Sequence, residues 1–321
     1  MIISLLESNK RLTVNPEAAL VINHPDDPKA IIQLVLDGLT SAHSKRSYEK
    51  ALSDFLDWYQ AQGKPGLTKA LVQRYKAVLQ ESGLAPSSVN QRMSAIRKLA
   101  QEAADNGIID QTIANGVSRV KGVKQQGVRS GNWLTKEQAQ ELINSPDTNT
   151  LKGLRDRAIL GVMIGAGLRR SEVIILSLED IQQREGRWVI VDIVGKGNRV
   201  RTVPIPGWTK AALNEWMETA DIHSGKVFRR VNKGDRIASD TMTAQAVRDV
   251  VSHYSGKLGF QVAAHDLRRT FAKLAHKGGA GLDQIQLSLG HASIKTTEKY
   301  LGVTQSLTDA PCDHLGLKLI D

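Results

Sequence analysis

Residues 265–270 read HDLRRT and residues 289–300 read LGHASIKTTEKY, and together they contain side chains that suit a phosphodiester-cleaving site. Tyr300 carries a hydroxyl that can attack phosphorus. His265, Arg268 and His291 are basic groups that can hold and neutralise a phosphate. Because His265 and Arg268 are three residues apart, they share one face of a predicted helix. This part of the chain therefore predicts chemistry on a phosphate group.

Two upstream motifs supply the remaining groups that such chemistry needs. Arg169 lies in GLRRSE, and Lys196 lies in VGKGNRVRTVPIP, a predicted β-hairpin. A guanidinium stays charged and can bind phosphate through two N–H groups, so we expect Arg169 and Arg268 to bracket one phosphate. A lysine beside arginines has a lowered pKa, which suits Lys196 to protonate a leaving oxygen. Taken singly, Arg169 also reads as an ion-pair partner of Glu172, and Lys196 as a solvated turn residue.

The attacking tyrosine needs help from its surroundings. A phenol has a pKa of about 10, so it attacks at neutral pH only beside a base and positive charges. Nine residues separate His291 from Tyr300, a spacing that allows both to face one site. By itself His291 reads equally as a residue capping a helix end. We find no acidic cluster with metal-ligand spacing, and we therefore expect no metal and no cofactor.

The ordered set of motifs resembles the tyrosine recombinase (phage integrase) family, from about Ser41 to Tyr300. GLRRSE is similar to the family's first arginine box, which implies a catalytic Arg169 supported by Glu172. GKGN resembles the hairpin that bears the family's lysine, and HDLRRT its His-x-x-Arg pair. LGHASIKTTEKY resembles the segment with the second histidine and the nucleophile. Arg170 departs slightly from the family, whose members often carry an apolar residue there.

The resemblance implies a mainly α N-terminal core-binding domain and a mixed α+β catalytic domain, mostly helical with a small β-sheet. Together they would form a C-shaped clamp on duplex DNA. It also implies a site-specific recombinase that forms a 3′-phosphotyrosyl intermediate with a free 5′-hydroxyl and uses no ATP. Strand exchange would occur in a homotetramer on two DNA sites with short inverted-repeat core sequences. Accessory proteins that set direction are further expected partners.

Breaks in periodicity divide the chain into five segments. Helical spacing predicts a first helix capped by Ser41 or Ser44, followed by helices after Thr68 and after Pro86. The segments are an N-terminal extension (1–38), a helical SAM-like DNA-binding domain (39–116), a basic linker (117–132), a catalytic domain (133–301) and a C-terminal tail (302–321). The tail contains LGLKLI, which could pack in a neighbouring subunit or on its own.

A polar face of the third predicted helix is a candidate DNA contact. It carries residue types that bind phosphates and base edges, although a solvated surface face has the same composition. The candidates are Asn90, Gln91, Arg92, Ser94, Arg97 and Lys98. The linker adds Lys121 and Lys124, in a stretch without acidic residues that we expect to lie along DNA.

Composition favours a nucleic-acid partner, and duplex DNA over a single strand. Lysine and arginine number 43 against 33 acidic residues, giving a net charge of +10, and residues 1 to 130 hold 17 and 12 of these. Charge alone is weak evidence, but neither half is neutral. An aromatic content of 4% argues against stacking on single strands, so duplex is expected.

Cysteine use and hydropathy indicate the compartment. Cys312 is the single cysteine, which excludes an intrachain disulfide. The N-terminal MIISLLESNKR does not read as a secretion signal, and no run of 18 apolar residues occurs. We expect a cytoplasmic, nucleoid-associated protein with no membrane partner.

Two other functions remain open at this point. A type IB topoisomerase-like enzyme would share the tyrosine chemistry but relax DNA without pairing sites. A catalytically silent DNA-binding protein would keep the fold to organise or repress a site. The complete set of reactive residues disfavours the second alternative.

Overall fold

The computed structural model describes residues 28–124, 132–195 and 199–302, without the side chains of residues 28–31, 43, 299 and 300. The chain divides into two compact units, Met1–Val128 and Arg129–Asp321. Each unit contains its own large hydrophobic cluster. Among the described residues, no helix has both the length and the apolar character needed to cross a membrane.

The first unit is helical. Its helices are α1 (Pro28–Asp37), α2 (Ala42–Ala61), α3 (Lys69–Glu81), α4 (Pro86–Asp105) and α5 (Gln111–Ser118). The side chain of Ser41 accepts a hydrogen bond from the backbone of Ser44, and Thr68 caps α3 in the same way through Leu71. Such side chains satisfy backbone N–H groups that a helix start leaves unpaired. The predicted helix starts are therefore confirmed.

Helix α4 lies at the centre of this unit, where the other four helices pack against it. Its inward face buries Val89, Met93 and Ile96 at helical spacing. Phe55 of α2 is fully buried and meets the Tyr75 ring edge-on, with 5.1 Å between centroids. This geometry suits the quadrupoles of two aromatic rings and fixes α2 against α3.

Two helices of this unit lie outside the three that periodicity predicts, and the first falls where the sequence indicates only irregular or briefly helical structure. Helix α1 falls in the predicted extension 1–38, yet Val35 is fully buried in the core. Pro28 reads as a helix breaker, but it occupies the first helical position, where its missing N–H costs nothing. Helix α5 runs into the predicted linker 117–132, and Val117 is also fully buried. The packed part of the unit therefore extends beyond residues 39–116 at both ends.

The second unit is mostly helical with two small antiparallel sheets. Its helices are α6 (Lys136–Asn144), α7 (Leu151–Gly165), α8 (Arg170–Val173), α9 (Gly207–Thr219), α10 (Ala244–Lys257), α11 (Ala264–Lys277), α12 (Leu282–Leu289) and α13 (Ile294–Leu301). Its strands are β1 (Ile181–Arg184), β2 (Arg187–Val194), β3 (Val200–Pro204), β4 (Arg230–Val231) and β5 (Ile237–Ser239). The sheets have the orders β1-β2-β3 and β4-β5. This agrees with the predicted mixed α+β composition.

Helix α7 forms the centre of the second unit and is buried along most of its length. Helix α9 approaches it closely, because a Cβ atom at Gly165 would lie 2.2 Å from the hydroxyl oxygen of Thr209. Only glycine fits such an approach. The tight packing of α7 holds the loop that follows it, and that loop carries Arg169.

The predicted hairpin of β2 and β3 is present. The backbone N–H of Gly195 donates to the carbonyl of Arg199 at 2.8 Å and closes the turn. Residues 196–198, including Lys196, lie outside the described residues. Strand alternation places Arg201 and Val203 on the buried face of β3.

Candidate active site

Arg169 lies in the loop that follows α7, as the N-cap residue immediately before α8. Gly167 turns the chain with a φ of +60°, and a Cβ atom there would lie 2.7 Å from the Phe271 ring. The turn therefore requires glycine on grounds of both conformation and space.

Glu172 is a buried carboxylate shared by several arginines. Its side chain is 4% exposed and accepts from Nη1 of Arg169 at 2.6 Å. Arg201 donates to it through two nitrogens, at 3.0 and 2.8 Å, and Nη1 of Arg268 lies 3.9 Å away. Burial alone would raise the pKa of Glu172, but bonds from Arg201 and from the Arg169 backbone hold it below its usual value. The carboxylate therefore stays charged and orients the guanidiniums.

Arg201 is a site residue that the sequence analysis missed. It is buried on β3 and also donates from Nε to the carbonyl of Ser288 at 2.8 Å. A signal for it exists in the sequence, because Arg201 and Val203 alternate with exposed residues in the predicted strand. An arginine on the inward side of a strand needs a buried carboxylate, and Glu172 supplies it.

Arg268 is held by backbone carbonyls. Its side chain is 1% exposed, and its two terminal nitrogens donate to the carbonyls of Gly167 and Leu289. Nη2 of Arg169 lies 3.5 Å from the same Leu289 carbonyl. The end of α12 thus presents its carbonyls to the guanidiniums of Arg169, Arg201 and Arg268, where the negative end of the helix dipole favours positive charge.

His291 lies directly after Gly290, the residue that caps the end of α12. Gly290 adopts a left-handed conformation with a φ of +61°, which ends the helix. Nδ1 of His291 lies 3.0 Å from the hydroxyl of Thr297, a buried residue of α13. Desolvation, followed by the charge of Arg268, lowers the pKa of His291 to about 4. The imidazole is therefore neutral at physiological pH.

Tyr300 lies in the last turn of α13, three residues after Thr297. The structure describes its backbone and not its side chain. Helix α13 packs on α11 and α12, and Leu301 is buried in a cluster with Leu289. The backbone of the predicted nucleophile is thus attached to the two helices that carry Arg268 and lead to His291.

His265 occupies the first turn of α11 and borders a cavity of about 400 Å³. Arg169 and Arg268 line the same cavity. Although His265 keeps exposed surface, partial desolvation and then the charge of Arg268 lower its pKa. The structure therefore brings Arg169, His265 and Arg268 to one opening, and their catalytic roles stay predictions.

The base of the hairpin that bears Lys196 lies beside Arg169 and Arg201. A Cβ atom at Gly195 would lie 3.4 Å from Nη1 of Arg169 and 3.2 Å from Nη1 of Arg201. Lys196 is the next residue in the chain. Its predicted role as the acid stays a prediction, supported by the position of its neighbour Gly195 beside Arg169 and Arg201.

The polar face of α4 is not the open surface that the sequence predicts. Its candidate residues are half-buried, and each forms a hydrogen bond within the first unit. Arg92 pairs with Asp54 at 2.5 Å, and Arg97 donates to the carbonyl of Val120 at 2.5 Å. Periodicity marks this face as polar but does not reveal that α2 and the segment after α5 cover it. The residues and partners are Asn90 with Val123, Gln91 with Ser47, Ser94 with the Asn90 carbonyl, and Lys98 with Glu102.

Lys121 and Lys124 are exposed beyond α5. The carbonyl of Lys121 accepts a hydrogen bond from Nζ of Lys76, and Val123 is bonded to Asn90. Residues 119–124 are thus held against the first unit. Their contact with DNA stays a prediction.

An enzyme that breaks and rejoins a phosphodiester bond is defined by this fold, by the cluster of arginines and histidines, and by the helix that carries Tyr300. The family model described as the phage integrase family matches residues 132–306, and that of its N-terminal SAM-like domain matches residues 32–107. The chain belongs to the phage integrase family.

Relatives of known name are tyrosine recombinases. A tyrosine recombinase XerC from Pelotomaculum thermopropionicum is 27% identical over 288 residues, covering 85% of this chain and 92% of the relative. A tyrosine recombinase XerC from Pelobacter propionicus is 31% identical, covering 82% and 86%. The prediction of a tyrosine-type site-specific recombinase is confirmed.

A solved structure supports the fold. XerH site-specific recombinase bound to a palindromic difH substrate, in a post-cleavage complex, superposes with a TM-score of 0.63 at 18% identity. The match covers 80% of this chain and 75% of that one. At this identity the likeness concerns the fold alone.

Proposed function

We propose that Tyr300 cleaves duplex DNA at a specific site and holds the 3′ phosphate covalently until a second strand rejoins it. One observation carries the proposal: Arg169 and Arg268 meet at the carbonyl of Leu289, two residues before His291. Two guanidiniums that converge on one point can neutralise the non-bridging oxygens of one phosphate.

In the proposed reaction, the Tyr300 hydroxyl attacks phosphorus and the bond from phosphorus to the 5′ oxygen breaks. The phenolic proton passes to a base, for which His265 is suited by its lowered pKa and its position at the cavity. The leaving 5′ oxygen takes a proton from Lys196. The products are a 3′-phosphotyrosyl ester and a free 5′-hydroxyl, and reversal with another 5′-hydroxyl rejoins the strand without net loss of bond energy.

Glu172 and Thr297 act through other residues in this scheme. Glu172 orients Arg169 and Arg201, while Thr297 fixes the His291 ring relative to α13. A neutral His291 can donate an N–H to a phosphate oxygen as charge develops in the transition state. We further propose a homotetramer acting on two short inverted-repeat core sites in the cytoplasm, with accessory proteins setting direction.

A covalent trapping experiment tests the proposal. The protein is incubated with plasmid or genomic DNA from its source, denatured, and the DNA bound covalently to protein is sequenced. We expect adducts at a few discrete sites with the wild-type chain and none with Tyr300→Phe. Adducts that survive in Tyr300→Phe would refute the nucleophile. Scattered adducts would instead support topoisomerase-like relaxation, and binding without adducts would support the silent DNA-binding alternative.

A sulfur-substituted substrate tests Lys196 separately. We expect Lys196→Ala to cleave slowly, because the 5′ alkoxide lacks a proton donor. Sulfur at the bridging 5′ position leaves without a proton, so this substrate should restore the rate of Lys196→Ala. No restoration would assign the acid to another residue.

A further inference from the structure

The cavity beside Arg169 contains more positive charge than one phosphate requires. Arg170 and Arg248 line it together with Arg169, His265 and Arg268. A single bridging phosphate carries one negative charge, and two of these arginines already suffice for it. The two additional guanidiniums therefore need a separate explanation.

The side chains of Arg170 and Arg248 are available to bind a ligand. Both side chains are exposed, and neither forms an ion pair with a carboxylate among the described residues. Glu172 is already occupied by Arg169 and Arg201, and no described acidic residue lines the cavity. Among the described residues, the positive charge that lines this cavity therefore has no carboxylate facing it.

The surrounding elements add to the positive potential and fix the geometry. Arg170 is the first residue of α8 and Arg248 lies on α10, which packs against α8. The N-cap residue Ala263 and the first two residues of α11 form another wall, so the N-terminal end of a 14-residue helix faces the cavity. Such an end attracts anions through its unpaired N–H groups and its dipole.

The cavity is large enough for more than the scissile phosphate. Its volume is about 400 Å³, whereas a water molecule takes up about 30 Å³ in the liquid. Consecutive phosphates of a DNA strand are joined through a single sugar, with an axial rise of about 3.4 Å and a longer separation through space. A strand that places one phosphate between Arg169 and Arg268 therefore brings the next one to the same opening.

We propose that Arg170 and Arg248 bind the backbone phosphate adjacent to the scissile phosphate and so position the strand for attack. The inference rests on the proposed function, because it assumes that Arg169 and Arg268 hold the scissile phosphate. The contact is independent of base sequence, since it is made to the backbone. It differs from the predicted contacts in α4, whose arginines are already bonded within the first unit.

Neutral phosphate analogues provide the test. A duplex containing the cleavage site found by adduct sequencing is made with a methylphosphonate at the phosphate on one side or the other of the scissile one. Affinities are measured in the Tyr300→Phe background, with and without Arg170→Gln and Arg248→Gln combined. Arg236→Gln removes an exposed positive charge outside the cavity and is the control for loss of charge elsewhere on the surface.

We expect one neutral linkage to weaken binding about tenfold when both arginines are present, the size of one charge-assisted contact. In the double variant the same linkage should weaken binding less than about twofold, because the arginines that contact this phosphate are already absent. The double variant should also lower the salt slope by about one. Arg236→Gln should keep the full effect of the neutral linkage.

Other outcomes separate the two proposals. If the neutral linkage weakens binding equally with and without Arg170 and Arg248, the inference is wrong while the function stands. Adduct formation by the chain with Tyr300 intact, on unmodified duplex, reports the function independently. If that control forms no adduct, the proposed function fails and the inference fails with it.

Discussion

Glu172 is the single buried carboxylate to which Arg169 and Arg201 both donate, so its charge is the feature to remove first. We expect Glu172→Gln to lower the free energy of unfolding by about 3 kcal/mol or more, because it leaves buried guanidiniums uncompensated. Urea denaturation measures this change. Glu215→Gln is the control, since Glu215 pairs with Arg157 at 45% exposure, and such surface pairs contribute about 1 kcal/mol or less. Equal losses in both variants would contradict the assigned role.

His291 gives a pH dependence with a definite sign. Its folded-state pKa is about 4, below the usual 6.5. Between these values the unfolded chain binds a proton that the folded chain does not, so the free energy of unfolding falls as pH drops through this window. We expect His291→Gln to lose less stability than wild type between pH 7 and 4.5, as measured by denaturant unfolding. From pH 7.5 to 8.5 the two should change in parallel, and parallel curves at low pH would refute the assignment.

At the residue scale, the sequence predicts the reactive groups better than the contacts that hold them. Arg169, His265 and Arg268 stand in short motifs, because chemistry fixes their residue types and spacing. Arg201 lies 29 residues from Glu172 along the chain. Only the folding of β3 against α8 brings the two together, so no local pattern could have paired them.

At the element scale, Asn90 joins α4 to the segment that follows α5. Its side chain donates to the Val123 carbonyl at 2.9 Å and accepts from the Val123 N–H at 2.7 Å. We expect Asn90→Ala to expose these groups and to speed hydrogen exchange at Val123 and trypsin cleavage after Lys121, at a cost of about 1 to 2 kcal/mol locally. Gln101→Ala removes only an exposed bond to Asp105 and serves as the control. Unchanged exchange at Val123 would show that other contacts hold the segment.

Helices with clear caps and apolar spacing follow from the sequence, whereas short or buried elements do not. Ser41 and Thr68 mark predicted helix starts that the structure confirms. Helix α9 begins at Gly207 after Pro206, residues that locally indicate a loop. Strand β1 has four residues and strand β4 two, so neither is long enough to show a period. Such elements form because packing against the tertiary core stabilises them.

At the scale of the whole molecule, the two units have separate cores. The large cluster of each unit draws its residues from that unit alone. We expect a fragment of residues 28–124 to unfold in one cooperative transition, because its core includes the fully buried Phe55 and Met93. Thermal melting by circular dichroism measures it. Phe55→Ala should abolish or sharply lower the transition, and a wild-type fragment without any cooperative transition would contradict independent folding.

The anchoring of Arg268 and Arg201 on backbone carbonyls has an evolutionary consequence. Both depend on α12 through the carbonyls of Leu289 and Ser288, which every amino acid possesses. A substitution at position 288 keeps its carbonyl and leaves the anchor in place, so the side chain there is free to drift between lineages. The arginines themselves have no such freedom. Divergent relatives can therefore share this active-site geometry while α12 shows little identity between them.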